Sequence, residues 1–503
     1  MAARAKTCLR LAADSIAGDL ALLERHRGEV DLAELAADRL SPEELAAAGR
    51  LPSLAGLPVI LAIRRQRDGG HWTGGERERA AAIGRLARAS SGRGFAWVEL
   101  EDDLALRLPG VPVIRSLHDA GGVAEDLERR LRGLARGPGE LPKAVVAVRG
   151  SADLARLLEI FARTRDMEKV LVGTGDAGFV TRVLASRLGS AFCCVSPSGT
   201  TTDPGDPDPA TLRDRFRFAT IDADTPVLGV IGDPVMHSLS PFIHNRGMAA
   251  LGIPGVYLPF PTDDVPAFMT AADLLGMCGL SVTAPFKQAV IPLLATRDAV
   301  VDRVGACNTL VRPKPGTGWH GTNTDSEGFL APLARVLAGR PMKGLKAAVI
   351  GAGGASRAVV AALTGEGADV LVLNRTATKA RELADRFGAR WAGLDEQGIA
   401  AIAGHSDLVV QASRVGMGET RSPAIGSRAG RSSTISFPSP ARPRSSPGRV
   451  LPAVPSFPAS ACSCPSCSGS SGCSPGTISR PHSSRSSIEN DFTNPLTLFT
   501  IIE

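Results

Sequence analysis

Along the first 220 residues the hydrophobic positions switch repeatedly between two periods. Short runs that are apolar or alternate in twos ("TCLRLAA", "VDLAELAAD", "PVILAIRR", "FAWVELE", "VPVIRSLHD", "PKAVVAVRG", "KVLVGTG" and "SAFCCVS") predict eight β-strands. Between them, "ERERAAAIGRLARA", "GVAEDLERRLRGLA" and "SADLARLLEIFART" repeat their apolar residues at helical spacing, with polar residues on the opposite face. The helical pattern is weakest after the fourth strand. Strands and helices in this alternation predict an α/β fold, a (β/α)8 barrel over residues 1–220.

A second α/β unit opens after the acidic connector "TIDADTP", with strand "VLGVIGD" and helix "PFIHNRGMAALG". Near residue 345 the pattern restarts as "KAAVIGAGGASRAVVAALTGEGADVLVLNR", which reads strand, glycine turn, helix, strand. That is a dinucleotide-binding βαβ, so two lobes are predicted, 226–340 and a Rossmann-type 341–420. Residues 421–503 hold 21 serines and 12 prolines and keep neither period. A segment of that kind buries too little apolar surface to offset its ordering entropy and is predicted to be a disordered, non-globular tail.

Charge changes the picture little. The net charge of +6 arises mostly beyond residue 420, where eight arginines face three acidic residues. The preceding chain is nearly neutral, so a nucleic-acid partner is not expected. No apolar run approaches the roughly 18 residues of a membrane-spanning helix, and "MAARAKTCLRLAADS" reads as a first strand rather than a signal peptide. Cys8, Cys193, Cys194, Cys278 and Cys307 lie in apolar contexts without ligand spacing, which suits a reduced cytoplasm and no metal site. Oligomeric state is not legible.

Lysine is scarce, eight against 49 arginines, so a lysine inside an apolar strand is informative. Lys143 on the sixth strand and His118 at the end of the fifth place an amine and a proton carrier on neighbouring strands of the barrel. Desolvation is expected to lower the amine's pKa so that it attacks a ketone and forms an imine, an electron sink for loss of a neighbouring proton. Singly, Lys143 could instead extend out of the barrel end, and His118 could be a core histidine.

"VDLAELAAD", "RRQRDGG", "SLHD", "PKAVVAV" and "GFVTRVLASRLGS" resemble type I 3-dehydroquinate dehydratase in order over most of residues 5–215. The resemblance implies that Lys143 forms the Schiff base and that His118 is the general acid and base. It implies that Glu34 orients His118, and that Arg64, Asp68 and Arg182 hold the substrate's carboxylate and hydroxyls. Two departures stand out. The family's E-L-R-x-D has Ala36 in the arginine place, and Thr202 and Asp206 stand where serine and glutamine are expected.

"GDPVMHSLSPFIHN", "LSVTAPFKQAVI", "GACNTL", "GTNTDSEGF" and "GAGGAS" resemble shikimate dehydrogenase. The resemblance implies that Ser238, Ser240, Thr283 and Asn308 bind substrate, and that Lys287 and Asp325 handle the proton as hydride moves. Taken alone, Ser238, Ser240 and Asp325 could be helix caps. Ser281 and Ser326 replace the family's asparagine and glycine. Gly351, Gly353, Gly354 and Ala355 open the helix on which a pyrophosphate would rest. At the end of the second strand, where an NAD site places an acid, Asn374, Arg375, Thr376 and Lys379 favour the 2′-phosphate of NADP.

The two resemblances imply consecutive steps of the shikimate pathway: dehydration of 3-dehydroquinate, then NADPH-dependent reduction of 3-dehydroshikimate. Quinate/shikimate dehydrogenation and a non-catalytic ligand-binding protein are the alternatives. The resemblance stops at Gly418, before the family's P-x-x-T-x-L-L and G-x-x-M-L-V-x-Q. The tail's Cys462, Cys464, Cys467 and Cys473 have a spacing that could suggest metal, but a one-base shift near codons 418–433 accounts better for the stretch that holds the first three, "PASACSCPSC". Read one base out of register, permitted codons spell Gly-Val-Gly-Met-Leu-Val-Pro-Gln-Leu. On that reading the dehydrogenase is weak or absent, and an unbroken frame coding for this tail in independent isolates would refute the shift.

Overall fold

The computed structural model describes residues 4–88, 94–197, 206–413 and, as backbone, 497–500. Strands β1 (Lys6–Leu11), β2 (Leu32–Ala36), β3 (Val59–Ala62), β4 (Trp97–Glu101), β5 (Val113–Asp119), β6 (Leu141–Ala147), β7 (Val170–Thr174) and β8 (Phe192–Val195) form one parallel sheet. Its order, β7-β6-β5-β4-β3-β2-β1-β8, curls into a barrel. The β7–β8 seam lacks strand pairing and is bridged where Ala191 N–H donates to Lys169 C=O at 2.7 Å. The eight strands lie where the hydrophobic runs predict them. No helix follows β4, and the chain turns directly through residues 102–112 into β5.

Alternation along each strand sends every second side chain inward. Cys8, Leu32, Ile60, Ile114, Leu141, Val170, Val172, Phe192 and Cys194 thereby form one buried apolar cluster filling the barrel's lower interior. Further toward the carboxyl ends the same inward positions become charged: Arg10, Glu34, Glu99 and Lys143 are all below 8 % exposed. A barrel of this kind carries its chemistry at that end.

The next sheet comprises β9 (Val227–Gly232), β10 (Val256–Pro261), β11 (Gly279–Val282), β12 (Thr296–Arg297), β13 (Thr309–Val311) and β14 (His320–Thr322), in the order β10-β9-β11-β13-β14-β12. It shares a compact unit, residues 1–298 with 307–322, with the barrel. Helix Val265–Leu274 packs against barrel helix Ser151–Arg163, whose N-terminus is capped by Asp263 Oδ1 accepting from Ser151 N–H at 2.8 Å.

The second unit, residues 299–306 and 323–503, is built on β15 (Lys346–Ile350), β16 (Asp369–Asn374), β17 (Arg390–Gly393), β18 (Leu408–Gln411) and β19 (Thr497–Thr500), parallel in the order β17-β16-β15-β18-β19. Helix Asp325–Leu337 belongs here, since Phe329 and Leu333 enter the same core as Val349, Val359 and Val372. The division thus falls earlier than the expected 340/341 boundary, because this helix buries its apolar face on the nucleotide sheet. Among the described residues no helix is long and apolar enough to cross a membrane.

Of the expected tail, residues 421–496 and 501–503 lie outside the described residues, with the four tail cysteines and the proposed codon shift. Thr497–Thr500 departs from the expectation: it pairs in parallel with Leu408–Gln411. Its sequence "TLFT" is rich in strand-favouring residues, and β18 offers an edge to pair with.

Candidate functional site

Inside the barrel, Lys143 Nζ donates to Glu34 Oε2 at 3.0 Å and to Glu99 Oε2 at 2.8 Å. Arg64 Nη2–H donates to Glu34 Oε1 at 2.6 Å and to Glu99 Oε2 at 2.8 Å. His118 Nε2 lies 3.1 Å from Glu99 Oε1. Burial pushes the Glu34 carboxyl up, but Arg64 and Lys143 outweigh it and hold the group at about 2. Glu99 is likewise held well below the usual carboxylate range, with burial opposed chiefly by Arg64 and Lys143.

Two expectations change. Burial does draw the Lys143 amine down, but Glu34 and Glu99 more than reverse it and leave the group above the ordinary lysine value. Desolvation alone is therefore the wrong guide: two carboxylates within 3.0 Å keep the resting group an ammonium. The carboxylate on His118 is Glu99, not Glu34. Strand order explains this, because β4 lies beside β5 whereas β2 is three strands away. Glu34 holds Lys143 and Arg64 instead.

The loop after β3 fixes Arg64. A Cβ on Gly70 would stand 2.2 Å from Arg64 C=O, so only glycine lets the chain fold back there. Trp72 N–H donates to Arg64 C=O at 3.1 Å. Asp38 ties the turn down, accepting from Arg64 N–H at 3.1 Å and His71 N–H at 2.8 Å. Asp68, expected at the substrate, instead accepts from Arg65 Nε–H at 2.5 Å, because the single-turn helix Gln66–Asp68 aims it back along its own loop.

Arg182 is 1 % exposed and pairs through Nη1 with Asp206 Oδ1 at 2.5 Å, while its Nε and Nη2 are buried without hydrogen-bond partners among the described residues. Asp206, in the glutamine place, also accepts from Ser196 Oγ at 2.9 Å. It therefore occupies part of the guanidinium expected to hold the substrate's carboxylate. Thr202 lies outside the described residues. Sequence reasoning missed Glu99, Asp38 and Arg10. Charged residues within the apolar runs "WVELE" and "TCLRL" were the available signal for two of them, as for Lys143.

In the second sheet, Ser238 and Ser240 follow the carboxyl end of β9, Thr283 and Lys287 follow that of β11, and Asn308 immediately precedes β13. The antiparallel pairing of β11 with β13 brings these segments to one edge of the sheet. Ser240 N–H donates to Ser238 Oγ at 3.2 Å, Val282 N–H to Asn308 C=O at 2.7 Å, and Cys307 N–H to Lys287 C=O at 2.7 Å. Lys287 is 4 % exposed. Asp325 lies in the second unit as the first residue of helix Asp325–Leu337, its N–H donating to Asn323 Oδ1 at 3.0 Å.

The glycine turn after β15 has the shape a pyrophosphate needs. Gly351 has φ +122°, and a Cβ there would stand 2.7 Å from Ala412 C=O. Gly353 caps helix Gly354–Gly365 with open space where a side chain would be, and Ala355 follows in the first turn. Arg375, Thr376 and Lys379 are exposed just beyond β16, and Asn374 Nδ2–H donates to Thr376 C=O at 3.0 Å. These residues fit a dinucleotide bearing an extra phosphate.

Three family descriptions match the chain: type I 3-dehydroquinase over residues 7–223, shikimate dehydrogenase substrate binding domain over 230–310, and shikimate / quinate 5-dehydrogenase over 333–416. The bifunctional 3-dehydroquinate dehydratase/shikimate dehydrogenase, chloroplastic, of Arabidopsis thaliana is 30 % identical over 361 residues, 68 % of this chain and 59 % of that one. The chain thus spans less than two thirds of that relative. The shikimate dehydrogenase (NADP(+)) of Geobacter metallireducens is 40 % identical over 210 residues, covering 40 % of this chain and 72 % of its own. A solved dehydroquinate dehydratase and shikimate dehydrogenase from S. pombe aligns over 81 % of this chain and 82 % of its own at 24 % identity, with a TM-score of 0.37.

Proposed function

We propose that this chain, which belongs to the shikimate dehydrogenase family and carries a type I 3-dehydroquinase barrel ahead of its dehydrogenase lobes, acts on two successive intermediates of one pathway. The barrel dehydrates 3-dehydroquinate to 3-dehydroshikimate, and the lobes reduce 3-dehydroshikimate to shikimate with NADPH. The observation that carries the reading is the placement of Lys143 between two carboxylates with His118 on the second of them.

In the barrel, Lys143 first gives up a proton, for which Glu34 and Glu99 are acceptors in place. The free amine adds to the substrate ketone and water leaves, forming the imine. His118 takes a proton from the carbon beside the imine; the electrons move into it, and the ring hydroxyl leaves as water with a proton returned by His118. Hydrolysis of the conjugated imine frees product and restores the amine. Glu99 orients the imidazole and offsets its charge while it is protonated. Arg64 and Arg182 are assigned to the substrate's oxygens.

In the dehydrogenase, Ser238, Ser240, Thr283 and Asn308 are assigned to the substrate's carboxylate and hydroxyls, and Lys287 and Asp325 to proton handling. Bound NADPH supplies a hydride. Gly351, Gly353, Gly354 and Ala355 would hold the pyrophosphate, and Asn374, Arg375, Thr376 and Lys379 the 2′-phosphate. The paired Ser238 and Ser240 support shikimate over quinate. A cytoplasmic location is proposed, supported by five free thiols among the described residues.

Borohydride reduction in the presence of 3-dehydroquinate should add the dehydrated substrate's mass to Lys143, and Lys143→Ala should abolish the adduct. NADP reduction with shikimate reads the other half separately. Absence of any trapped adduct would remove the dehydratase reading and favour a non-catalytic ligand-binding protein.

A further inference from the structure

Cys8 on β1 and Cys194 on β8 are register partners in the parallel pairing of those strands. Both side chains enter the apolar cluster inside the barrel, where the residues are 0 % and 3 % exposed. Neighbouring strands lie about 4.8 Å apart, and closure of the sheet tips inward side chains towards one another. That spacing falls within the roughly 4.4–6.8 Å between Cα atoms that a disulfide spans. The two sulfurs already meet: Cys8 Sγ–H donates to Cys194 Sγ.

The other described thiols are turned elsewhere. Cys193, on the opposite face of β8, donates to Cys194 C=O at 3.4 Å. Cys278 donates to Gly276 C=O at 3.8 Å, and Cys307 to Thr309 C=O at 3.3 Å. The hydrogen bond from Cys8 draws the Cys194 thiol below its ordinary value against the effect of burial, and Lys143 and Arg10 act in the same direction. Burial pushes the Cys8 thiol up. One sulfur is thus favoured as the nucleophile while its neighbour keeps its proton.

We propose that Cys8 and Cys194 form a redox-active dithiol, which hydrogen peroxide closes into a disulfide between β1 and β8. Cys194 Sγ attacks one peroxide oxygen; the O–O bond breaks, leaving a sulfenic acid and, with the thiol proton, one water. Cys8 Sγ then attacks the Cys194 sulfur, and the sulfenic oxygen leaves as a second water with the Cys8 proton. Two thiols lose two hydrogens, and one peroxide becomes two waters. The new bond lies one inward layer below Glu34, because Cys8 precedes Arg10 by two positions and Arg10 is the register partner of Glu34. It fastens β8, whose other edge is the unpaired seam with β7, to β1. Oxidation therefore ties the barrel together beside its weakest closure.

The test uses the full-length wild type and depends on neither catalytic activity. The protein is exposed to hydrogen peroxide at neutral pH, with circular dichroism recorded before and after. Remaining thiols are alkylated in denaturant, and the unreduced digest is mapped by mass spectrometry. Most of Cys8 should appear in a peptide joined to Cys194, two hydrogens lighter than its separate parts, and dithiothreitol should return both thiols. Cys8 and Cys194 remaining mainly alkylatable, under conditions that oxidise a free cysteine peptide in the same tube, overturns the proposal. So does oxidation of Cys194 without Cys8, or a link from either residue to another cysteine. A link that forms only with loss of the folded spectrum overturns it as well.

Discussion

Glu99 joins the two residues to which the proposed dehydration assigns its chemistry: one oxygen accepts from Lys143 Nζ at 2.8 Å, and the other lies 3.1 Å from His118 Nε2. A single carboxylate thus faces both the amine that would lose a proton and the imidazole that would carry one in the proposed dehydration. Its position on β4, beside β5, makes that bridge possible.

Glu99→Gln is therefore expected to lower kcat for dehydration by roughly 100-fold, within the range for disabling a proton-transfer partner, with a smaller change in KM. Steady-state kinetics checks this, and the Lys143 adduct should still form when trapped. A change confined to KM would move Glu99 from positioning the imidazole to binding substrate.

The buried cluster sets a pH window for stability. Glu34 and Glu99 have depressed pKa values, so their contribution is complete above the ordinary carboxylate range and is lost as pH falls, toward about 2 for Glu34. Lys143 has a raised pKa, so its contribution is complete below its unfolded value of about 10.4 and is lost as pH climbs through the raised value. Tm should be flat with respect to this cluster between those limits. Lys143→Met should move the acid-side loss to higher pH, because the carboxylates lose a cation. Thermal melts from pH 2 to 6 read the shift.

Asp263 accepts from Ser151 N–H at 2.8 Å and so caps a barrel helix from the neighbouring lobe. Asp263→Ala should cost about 1 kcal/mol, the usual magnitude of a lost N-cap. Asp263→Asn, which can still accept, should cost less. Denaturant unfolding of the full chain measures both. Because hydrogen bonding to Ser151 N–H lowers the Asp263 pKa, the wild-type advantage should fade as pH drops below the usual carboxylate range.

Arg375 lies exposed beyond the end of β16 beside Thr376 and near Lys379. Arg375→Ala should weaken NADP binding roughly tenfold through loss of a charge-assisted contact, and leave NAD affinity within twofold. Calorimetric titration with each nucleotide checks the difference without requiring turnover. Equal losses for both nucleotides would assign Arg375 to a part they share.

Periodicity along the chain determined the eight barrel strands, the two α/β lobes and the glycine turn that follows β15. Such features depend on local spacing and on which face of each element is apolar. Lys143 and His118 were legible for the same reason, as charged or titratable side chains within apolar strands. Only the tertiary structure decided that Glu99 rather than Glu34 meets His118, and that Asp68 serves its own loop. Tertiary structure likewise decided that Lys143 rests above its ordinary pKa. Each of these depends on which strand becomes whose neighbour when the sheet curls. Electrostatic interactions reach across that curvature, whereas a motif runs along one strand. Sequence names the charged groups; closure of the barrel chooses their partners and sets their proton affinities.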